Sequence, residues 1–156
     1  CLGVVLSPGS ACSLTVRFLP TSLGGKNANL AVFATPGGGD TSTLTGIGAG
    51  PAVLSLTPVS HSFGSVAAGS SSSPVVFTVT NTGGLNSGIV IGTITGTNPT
   101  QFAIDSTTCS IVLTPGGTCT VAVIFTPSTS GAKSATLSVS ASPGGTDTSS
   151  LTGTGT

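Results

Sequence analysis

The sequence predicts an all-β fold, and three observations lead to this prediction. Apolar and polar residues alternate with a period of two in many short stretches, whereas helical spacing is nowhere sustained. The β-branched residues Thr and Val, which favour strands, dominate these stretches. Pro and Gly punctuate the chain between them, as turns between antiparallel strands require. Many short strands at such regular spacing are typical of a β-sandwich.

An internal repeat organises the chain. Roughly half of the positions are identical when the last third of the chain is aligned with its beginning. The matching residues keep one offset without a gap (119 − 12 = 107): Cys12 and Cys119, Phe18 and Phe125, Pro20 and Pro127, Lys26 and Lys133, Asp40 and Asp147, Gly48 and Gly155. A fixed period indicates a tandem array. We therefore expect residues 1–49 to be the second half of one repeat and residues 50–156 to be a complete repeat.

Strands are predicted separately for the two parts. In the half repeat, alternation predicts three of them: 14–18, 28–34 and 42–44. In the complete repeat we expect seven or eight, with the first ones at 53–57, 75–79, 89–94 and 102–104 before the second copy of the opening motif. Between Pro58 and Ser73 we expect a loop in which Phe63 is an apolar plug. Five side chains should face one another across the core: Val121, Val123, Phe125, Leu137 and Val139.

The composition excludes several classes of protein. Only 4% of the residues are charged, the formal net charge is zero and the mean hydropathy is +0.53. Disorder requires the opposite balance, so the chain should fold. Nucleic-acid binding requires a basic stripe, and the chain has neither this stripe nor any Tyr or Trp. No apolar run approaches the roughly 20 residues of a membrane-spanning helix. A neutral surface rich in Ser and Thr suits a protein that associates.

The four cysteines are expected to form two disulfides. Cys109 and Cys119 bracket a tight reversal, and Cys1 and Cys12 bracket a similar one. Four cysteines allow three pairings, and the repeat selects Cys1 with Cys12 and Cys109 with Cys119. The rival interpretation, a zinc site, requires closely spaced thiolate pairs. In the chain-entropy model each disulfide contributes about 2.7 kcal/mol, and both imply an oxidising compartment.

The remaining reactive residues do not form a recognisable catalytic or metal site. His61 is the only histidine, and we expect a polar loop residue rather than a general base, since nothing marks a nucleophile beside it. Asp105 and Asp147 are the only acids of the complete repeat, and both are expected near turns. We therefore predict that the protein is not an enzyme and binds no cofactor or metal.

Two further motifs are interpreted structurally. Lys26 and Lys133 follow small residues, so we expect both at solvated turns rather than in an internal lysine crosslink. The Gly-rich segments 37–40 and 144–147 lack the ending of a phosphate-binding loop. A weak calcium site is the alternative there, and a hairpin turn is the better account.

A family resemblance rests on several motifs. These are L-T-P, F-G-S-V-A-A-G-S and V-V-F-T-V-T-N-T-G, followed by C, L-T-P-G-G-T-C-T-V, F-T-P and L-T-G-T-G. The sequence resembles the Ig-like repeat called the ASH or Hydin-type domain, in the version found in bacterial secreted choice-of-anchor D proteins. The resemblance covers residues 51–155 fully and 1–49 as half of another copy. It implies immunoglobulin-like β-sandwich repeats in tandem, usually extracellular, that serve as spacers and bring no catalytic residues.

These observations predict a non-enzymatic structural module of an extracellular bacterial surface protein or filament. Its partners would be other copies of itself or neighbouring repeats of a longer chain. An uncovered three-stranded half repeat needs such a neighbour, either as part of a longer tandem protein or at a neighbour's sheet edge. The alternative is an adhesin-type module that recognises carbohydrate or a protein through the loops at the sandwich ends. The absence of Trp and Tyr counts against the carbohydrate alternative.

Overall fold

The structure is a computed structural model that describes Cys1 and residues 3–156. The chain divides into two compact units, Cys1–Gly48 and Ala49–Thr156, and each is described by itself. Throughout the described residues the regular structure consists of strands and one short 3-10 turn, Pro99–Gln101. The prediction of an all-β fold is confirmed.

The first unit contains one β-hairpin. Strand β1 (Gly24–Ala34) pairs antiparallel with β2 (Gly38–Gly48). Among the described residues before Gly24 there is no strand, and the segment is tied back on itself by the disulfide between Cys1 and Cys12. The strands predicted around 28–34 and 42–44 are therefore present.

The second unit is described in full and forms two four-stranded sheets. Its strands, in chain order, are β3 (Leu54–Thr57), β4 (Ser60–Val66), β5 (Val75–Asn81), β6 (Ile91–Thr95), β7 (Phe102–Thr107), β8 (Thr118–Phe125), β9 (Gly131–Ala141) and β10 (Gly145–Gly155). One sheet has the order β4-β10-β9-β6 and the other has the order β3-β5-β8-β7. The pairing of β4 with β10 is parallel, and the other pairings are antiparallel. These eight strands match the predicted number.

The alternating residues of both sheets meet in one apolar core. Strand β8 shows how the sequence produces this arrangement, because Val121, Val123 and Phe125 all point inward and are fully buried. Leu137 and Val139 of β9 are fully buried in the same cluster. The expected set of five core side chains is therefore confirmed.

The predicted loop between Pro58 and Ser73 was wrong in its first part, which forms β4. Phe63 lies in this strand and packs against the core, and His61 is also a strand residue. Gly64 explains the error. It has a φ of +69° and lies where the pairing register between β4 and β10 shifts. Such an irregularity breaks the alternation on which strand prediction depends.

The predicted strand at 14–18 is also wrong, since these residues form no strand in the first unit. Their counterpart in the repeat is the C-terminal part of β8, which pairs with β5 on one side and β7 on the other. The first unit contains no described counterpart of β5 or β7. A strand needs a neighbour for its backbone hydrogen bonds, so alternation alone did not produce one here.

Candidate interaction surface

The hairpin of the first unit repeats a hairpin of the second unit residue by residue. Strands β9 and β10 have the bounds of β1 and β2 moved by the repeat offset (131 − 24 = 107). The register is also the same, since Gly24 pairs with Gly48 and Gly131 pairs with Gly155. The two hairpins therefore share their bounds and their strand register.

An aromatic ring packs on a glycine at the same place in both units. A Cβ built on Gly153 would lie 2.5 Å from the ring of Phe125. A Cβ built on Gly46 would lie 2.6 Å from the ring of Phe18. Only a residue without a side chain allows the ring to lie this close to the strand. The core aromatic of the first unit thus already lies against β2.

The two rings differ in what covers them. Phe125 is fully buried, whereas Phe18 is 50% exposed. Phe102 of β7 stacks on Phe125 with ring centroids 4.8 Å apart, and Phe63 of β4 lies 5.9 Å away. Both covering residues belong to the part of the repeat that precedes Cys109. The first unit shows no described counterpart of this part.

The uncovered side of the first unit is an apolar surface that we call the open face. It consists of Val16, Phe18, Ala28 and Leu44, which line one cavity of about 400 Å³. Their counterparts at the repeat offset are all buried in the core of the second unit: Val123, Phe125, Ala135 and Leu151. The open face is therefore a core surface without its second layer.

Several side chains make polar contacts between the two halves of the second unit, and one of them is the fully buried Asn81. Its Nδ2 donates to the carbonyl oxygens of Leu113 at 2.9 Å and Leu85 at 2.8 Å. Its Oδ1 accepts from the backbone N–H groups of Val53 at 3.1 Å and Gly83 at 3.0 Å. All hydrogen-bonding positions of this buried amide are occupied, as burial requires. Asn81 thus joins the end of β5 to the reversal between the two cysteines.

A second polar contact runs between the two sheets. One carboxylate oxygen of Asp147 in β10 accepts from the N–H of Leu56 in β3 at 2.7 Å. The other accepts from the N–H of Thr148 at 2.8 Å. Its counterpart Asp40 accepts from the N–H of Thr41 at 2.8 Å and is exposed. Asp40 keeps the local bond, and its unit has no described strand that could supply the bond between sheets.

These features are those of a repeat whose two halves cover each other. The profile of the ASH family, described as the abnormal spindle-like microcephaly-associated, ASPM-SPD-2-Hydin domain, matches residues 52–148, which is more than half of the chain. The chain belongs to the ASH family. The matched residues lie within the second unit, which we now call the ASH unit.

The solved structures that are similar to this chain include the following two. The ASH/PapD-like domain of human CEP192 (PapD-like domain 7) shares 16% sequence identity with a TM-score of 0.49, over 66% of this chain and 84% of its own. The secreted serine protease VesC from Vibrio cholerae shares 23% identity with a TM-score of 0.49, over 66% of this chain and 23% of its own. The chain therefore spans less than a quarter of that protease. No curated protein sequence matches the chain.

The four predicted cysteines lie in two disulfides with the pairing selected from the repeat. Cys109 and Cys119 of the ASH unit are joined with a Cα–Cα distance of 5.1 Å. Cys1 and Cys12 of the first unit are joined with a Cα–Cα distance of 5.3 Å. In the ASH unit both cysteines are buried and belong to the same core cluster as Leu113. The disulfide therefore closes the chain reversal that contains Leu113, and the carbonyl of Leu113 accepts a hydrogen bond from Asn81.

The other predicted site residues have structural surroundings. His61 packs edge-on against Phe63, with ring centroids 4.8 Å apart. Lys133 lies in a strand rather than at the predicted turn, and its Nζ donates to the Ser130 carbonyl at 3.0 Å. Lys26 is likewise in a strand, and its Nζ donates to the Leu23 carbonyl at 2.9 Å.

The structure also shows where the acidic residues and the Gly-rich segments lie. Asp147 lies in β10 three residues after the hairpin turn at Gly144, near a turn as expected, whereas Asp105 lies within β7. The Gly-rich segments form the expected hairpin turns between β1 and β2 and between β9 and β10. In the described part of the chain, no three His, Cys, Asp or Glu side chains cluster as metal ligands. No helix in that part has the length and hydrophobicity needed to cross a membrane.

Sequence reasoning missed two residues whose side chains join distant parts of the ASH unit, Asn81 and Asp147. From the sequence, no role was assigned to Asn81, and Asp147 was placed only near a hairpin turn. A signal was present for Asn81, since a polar amide continues the inward-facing positions Phe77 and Val79 of β5. No comparable signal marks the partner of Asp147, which lies 91 positions away in the chain.

Proposed function

We propose that this chain is a non-enzymatic structural module of an extracellular bacterial surface protein or filament, in which ASH units follow one another in tandem. The observation that carries the proposal is the repetition, in Cys1–Gly48, of the ASH unit's hairpin, aromatic–glycine contact and disulfide. Units that repeat in this way contact mainly their neighbours and build elongated objects. The neighbouring repeats would then be the partners of this chain.

The chemistry of the surface supports a spacer role. The whole chain has only three basic and three acidic side chains, so long-range charge repulsion between copies is weak. Solvation depends instead on Ser and Thr, which alternate with the core residues along β9 and β10. Such a surface allows units to pack end to end or side by side.

The disulfides support an extracellular location. Each closes a short loop, with sequence separations of 11 and 10 residues. Disulfides persist in oxidising compartments and are rare in the cytosol. All four cysteines are paired in the structure, which fits a role as structural crosslinks.

The side chains that could perform catalysis support the same proposal. Asp147 is engaged by two backbone N–H groups, and His61 packs on an aromatic ring. A general base must lie within hydrogen-bonding reach of a nucleophile, and the geometry of His61 is that of a packing residue. We therefore propose structural roles for these residues.

Electron microscopy of the native material, combined with thiol analysis by mass spectrometry, tests the proposal. We expect a fibre or stalk with a regularly repeating domain, and both cysteine pairs oxidised. A glycan array probed with the purified chain tests the adhesin alternative. Isolated particles that bind defined glycans, or free thiols in native material, would contradict the structural proposal.

A further inference from the structure

We propose that β6 (Ile91–Thr95), an edge strand of the ASH unit, pairs antiparallel with the same strand of a second copy of this chain. Strand β6 is the last strand of its sheet, and no other described strand pairs with its free side. Two four-stranded sheets would thereby join into one sheet of eight strands. This lateral contact goes beyond the proposed tandem arrangement, because it depends on the ASH unit alone.

The other three edge strands of the ASH unit have features that oppose pairing. In β3 the backbone N–H of Leu56 is already bound by Asp147. Strand β7 has a register shift at the charged Asp105, and the register of β4 shifts beside Gly64. Irregularities and charges of this kind keep sheet edges apart. Strand β6, by contrast, pairs with β9 without a shift and has the uncharged sequence Ile-Gly-Thr-Ile-Thr.

The backbone of β6 has groups available for this pairing. Alternate residues of an antiparallel strand direct their N–H and C=O groups to the same side. Val90, directly before β6, uses both groups to bond Ile111 and Ser110, on the side away from β9. In a regular strand Gly92 and Ile94 direct their groups to this same side, where they meet no strand of the described chain. A second copy of β6 can therefore bond to both residues.

Gly92 is a further indication that another backbone approaches this edge. Glycine weakens the interior of a strand and often marks a close approach of a second backbone. A Cβ built on Gly92 would find its nearest neighbour, a methyl carbon of Ile104, at 3.4 Å, which is ordinary contact. Packing within the ASH unit therefore does not require glycine at this position.

The sequence of β6 is complementary to itself in one register. When two copies pair antiparallel about Thr93, Gly92 of each copy lies opposite Ile94 of the other. Both residues lie on the inner face of the sheet, since their partners in β9 are the fully buried Val139 and Leu137. The absent side chain of Gly92 therefore leaves space for Ile94 of the second copy.

Apolar surface flanks this edge on both faces of the sheet. On the inner side, a groove of about 560 Å³ lies between β6 and β7, and its lining includes Gly92, Ile94 and Ile104. On the outer side, Ile91 is 57% exposed and Ile89 is 59% exposed. Pairing of two β6 strands would reduce the exposure of these side chains to water, and this burial favours association.

The charge distribution favours a second copy as the partner. None of the described residues of β6 or of the groove lining is charged, so an acidic or basic peptide would find no opposite charge there. The chain has a formal net charge of zero, and copies can approach one another without long-range repulsion. Because the contact is only five residues long, we expect the dimer at high protein concentration.

Cysteine crosslinking of the whole chain tests the register. Directly opposite residues of an antiparallel pair have Cα atoms about 4.5–5.5 Å apart, a distance that a disulfide can bridge. Thr93→Cys should therefore give a disulfide-linked dimer under mild oxidation, with the two introduced thiols identified by peptide mass spectrometry. Thr148→Cys, at an exposed position of β10, is the matched control and should crosslink at least about tenfold more slowly.

Sedimentation velocity over a range of concentrations tests the pairing without a crosslink. The original chain should form a dimer as its concentration rises. Thr93→Lys should remain monomeric, because two ammonium groups would lie directly opposite each other. Thr148→Lys should form a dimer like the original chain. Equal urea midpoints for the three chains would show that the fold is retained, and the crosslinking comparison decides the question if they differ.

Two results would overturn the inference. Equal crosslinking rates for Thr93→Cys and Thr148→Cys would show that β6 does not pair with itself. A chain that stays monomeric at every concentration, or a dimer that persists in Thr93→Lys with an unchanged urea midpoint, would contradict pairing through this edge. Neither result bears on the cell-surface role, which the microscopy and thiol analysis address independently.

Discussion

The carboxylate of Asp147 accepts a hydrogen bond from the backbone N–H of Leu56 across the ASH unit, at 2.7 Å. This bond connects β10 in one sheet to β3 in the other. The equivalent carboxylate of Asp40 is exposed and holds the N–H of its neighbour Thr41. The aspartate at this position of the hairpin therefore accepts a local bond in both units, and it accepts a bond between sheets only in the ASH unit.

Replacing this carboxylate should affect the two units differently. Asp147→Ala leaves a part-buried N–H without its acceptor, so the free energy of unfolding should fall by roughly 1–3 kcal/mol. Asp40→Ala is the matched control, and as an exposed change it should alter stability by less than about 0.5 kcal/mol. Urea unfolding followed by circular dichroism measures both. Equal losses for the two variants would contradict the bond's role in joining the sheets.

Replacing Asn81 should lower the free energy of unfolding more than replacing an exposed asparagine. Asn81→Ala removes four hydrogen bonds and leaves the buried carbonyl of Leu113 with one donor fewer, at a cost of more than about 2 kcal/mol. The exposed Asn86 is the control, and Asn86→Ala should be nearly neutral. Thermal and urea unfolding of both variants provide the comparison. A neutral Asn81→Ala would show that the network does not hold the halves together.

The aromatic–glycine contacts predict a graded response to an added methyl group. In Gly153→Ala the new Cβ meets the fully buried ring of Phe125, and overpacking of this kind costs about 1–3 kcal/mol. In Gly46→Ala the half-exposed ring of Phe18 can move away, so the loss should be smaller. The difference between the two changes in unfolding free energy is the measured quantity. A larger loss for Gly46→Ala would be inconsistent with an uncovered Phe18.

Ser149 should be a position where truncation stabilises the protein. Its hydroxyl is fully buried and lacks a hydrogen-bond partner among the described residues. Ser149→Ala removes a desolvated polar group, and we expect a gain of up to about 1–3 kcal/mol in unfolding free energy. Ser42, its exposed counterpart in the first unit, serves as control, and Ser42→Ala should leave stability unchanged. A loss of stability in Ser149→Ala would mean that the hydroxyl is satisfied in solution.

The sequence was most informative where structure follows from local alternation. Strand β8 could be predicted because Val121, Val123 and Phe125 alternate without interruption, and the hairpins could be predicted because Pro and Gly mark their turns. Strand β4 was missed because Gly64 interrupts its period. In each of these cases the prediction depended on a pattern that spans only a few neighbouring residues.

The errors and omissions concern distant partners. Residues 14–18 have the alternation of a strand but form none, since pairing requires neighbours that alternation does not provide. The bond between Asp147 and Leu56 joins residues 91 positions apart, and no local pattern specifies which N–H a carboxylate reaches. The open face could therefore be recognised only after the contacts and burial of the two hairpins were compared in the structure.

Residue-resolved hydrogen exchange by NMR on the chain as it stands is the most direct test of the central claim, that Cys1–Gly48 is a half repeat whose core face is uncovered. The amides of residues 121–125 should exchange only through global unfolding of the ASH unit, whereas those of residues 14–18 should exchange at rates near those of unstructured peptides. The amides of β1 and β2 that pair within the hairpin should lie between these limits. Equal, strong protection of residues 14–18 and 121–125 would contradict the account.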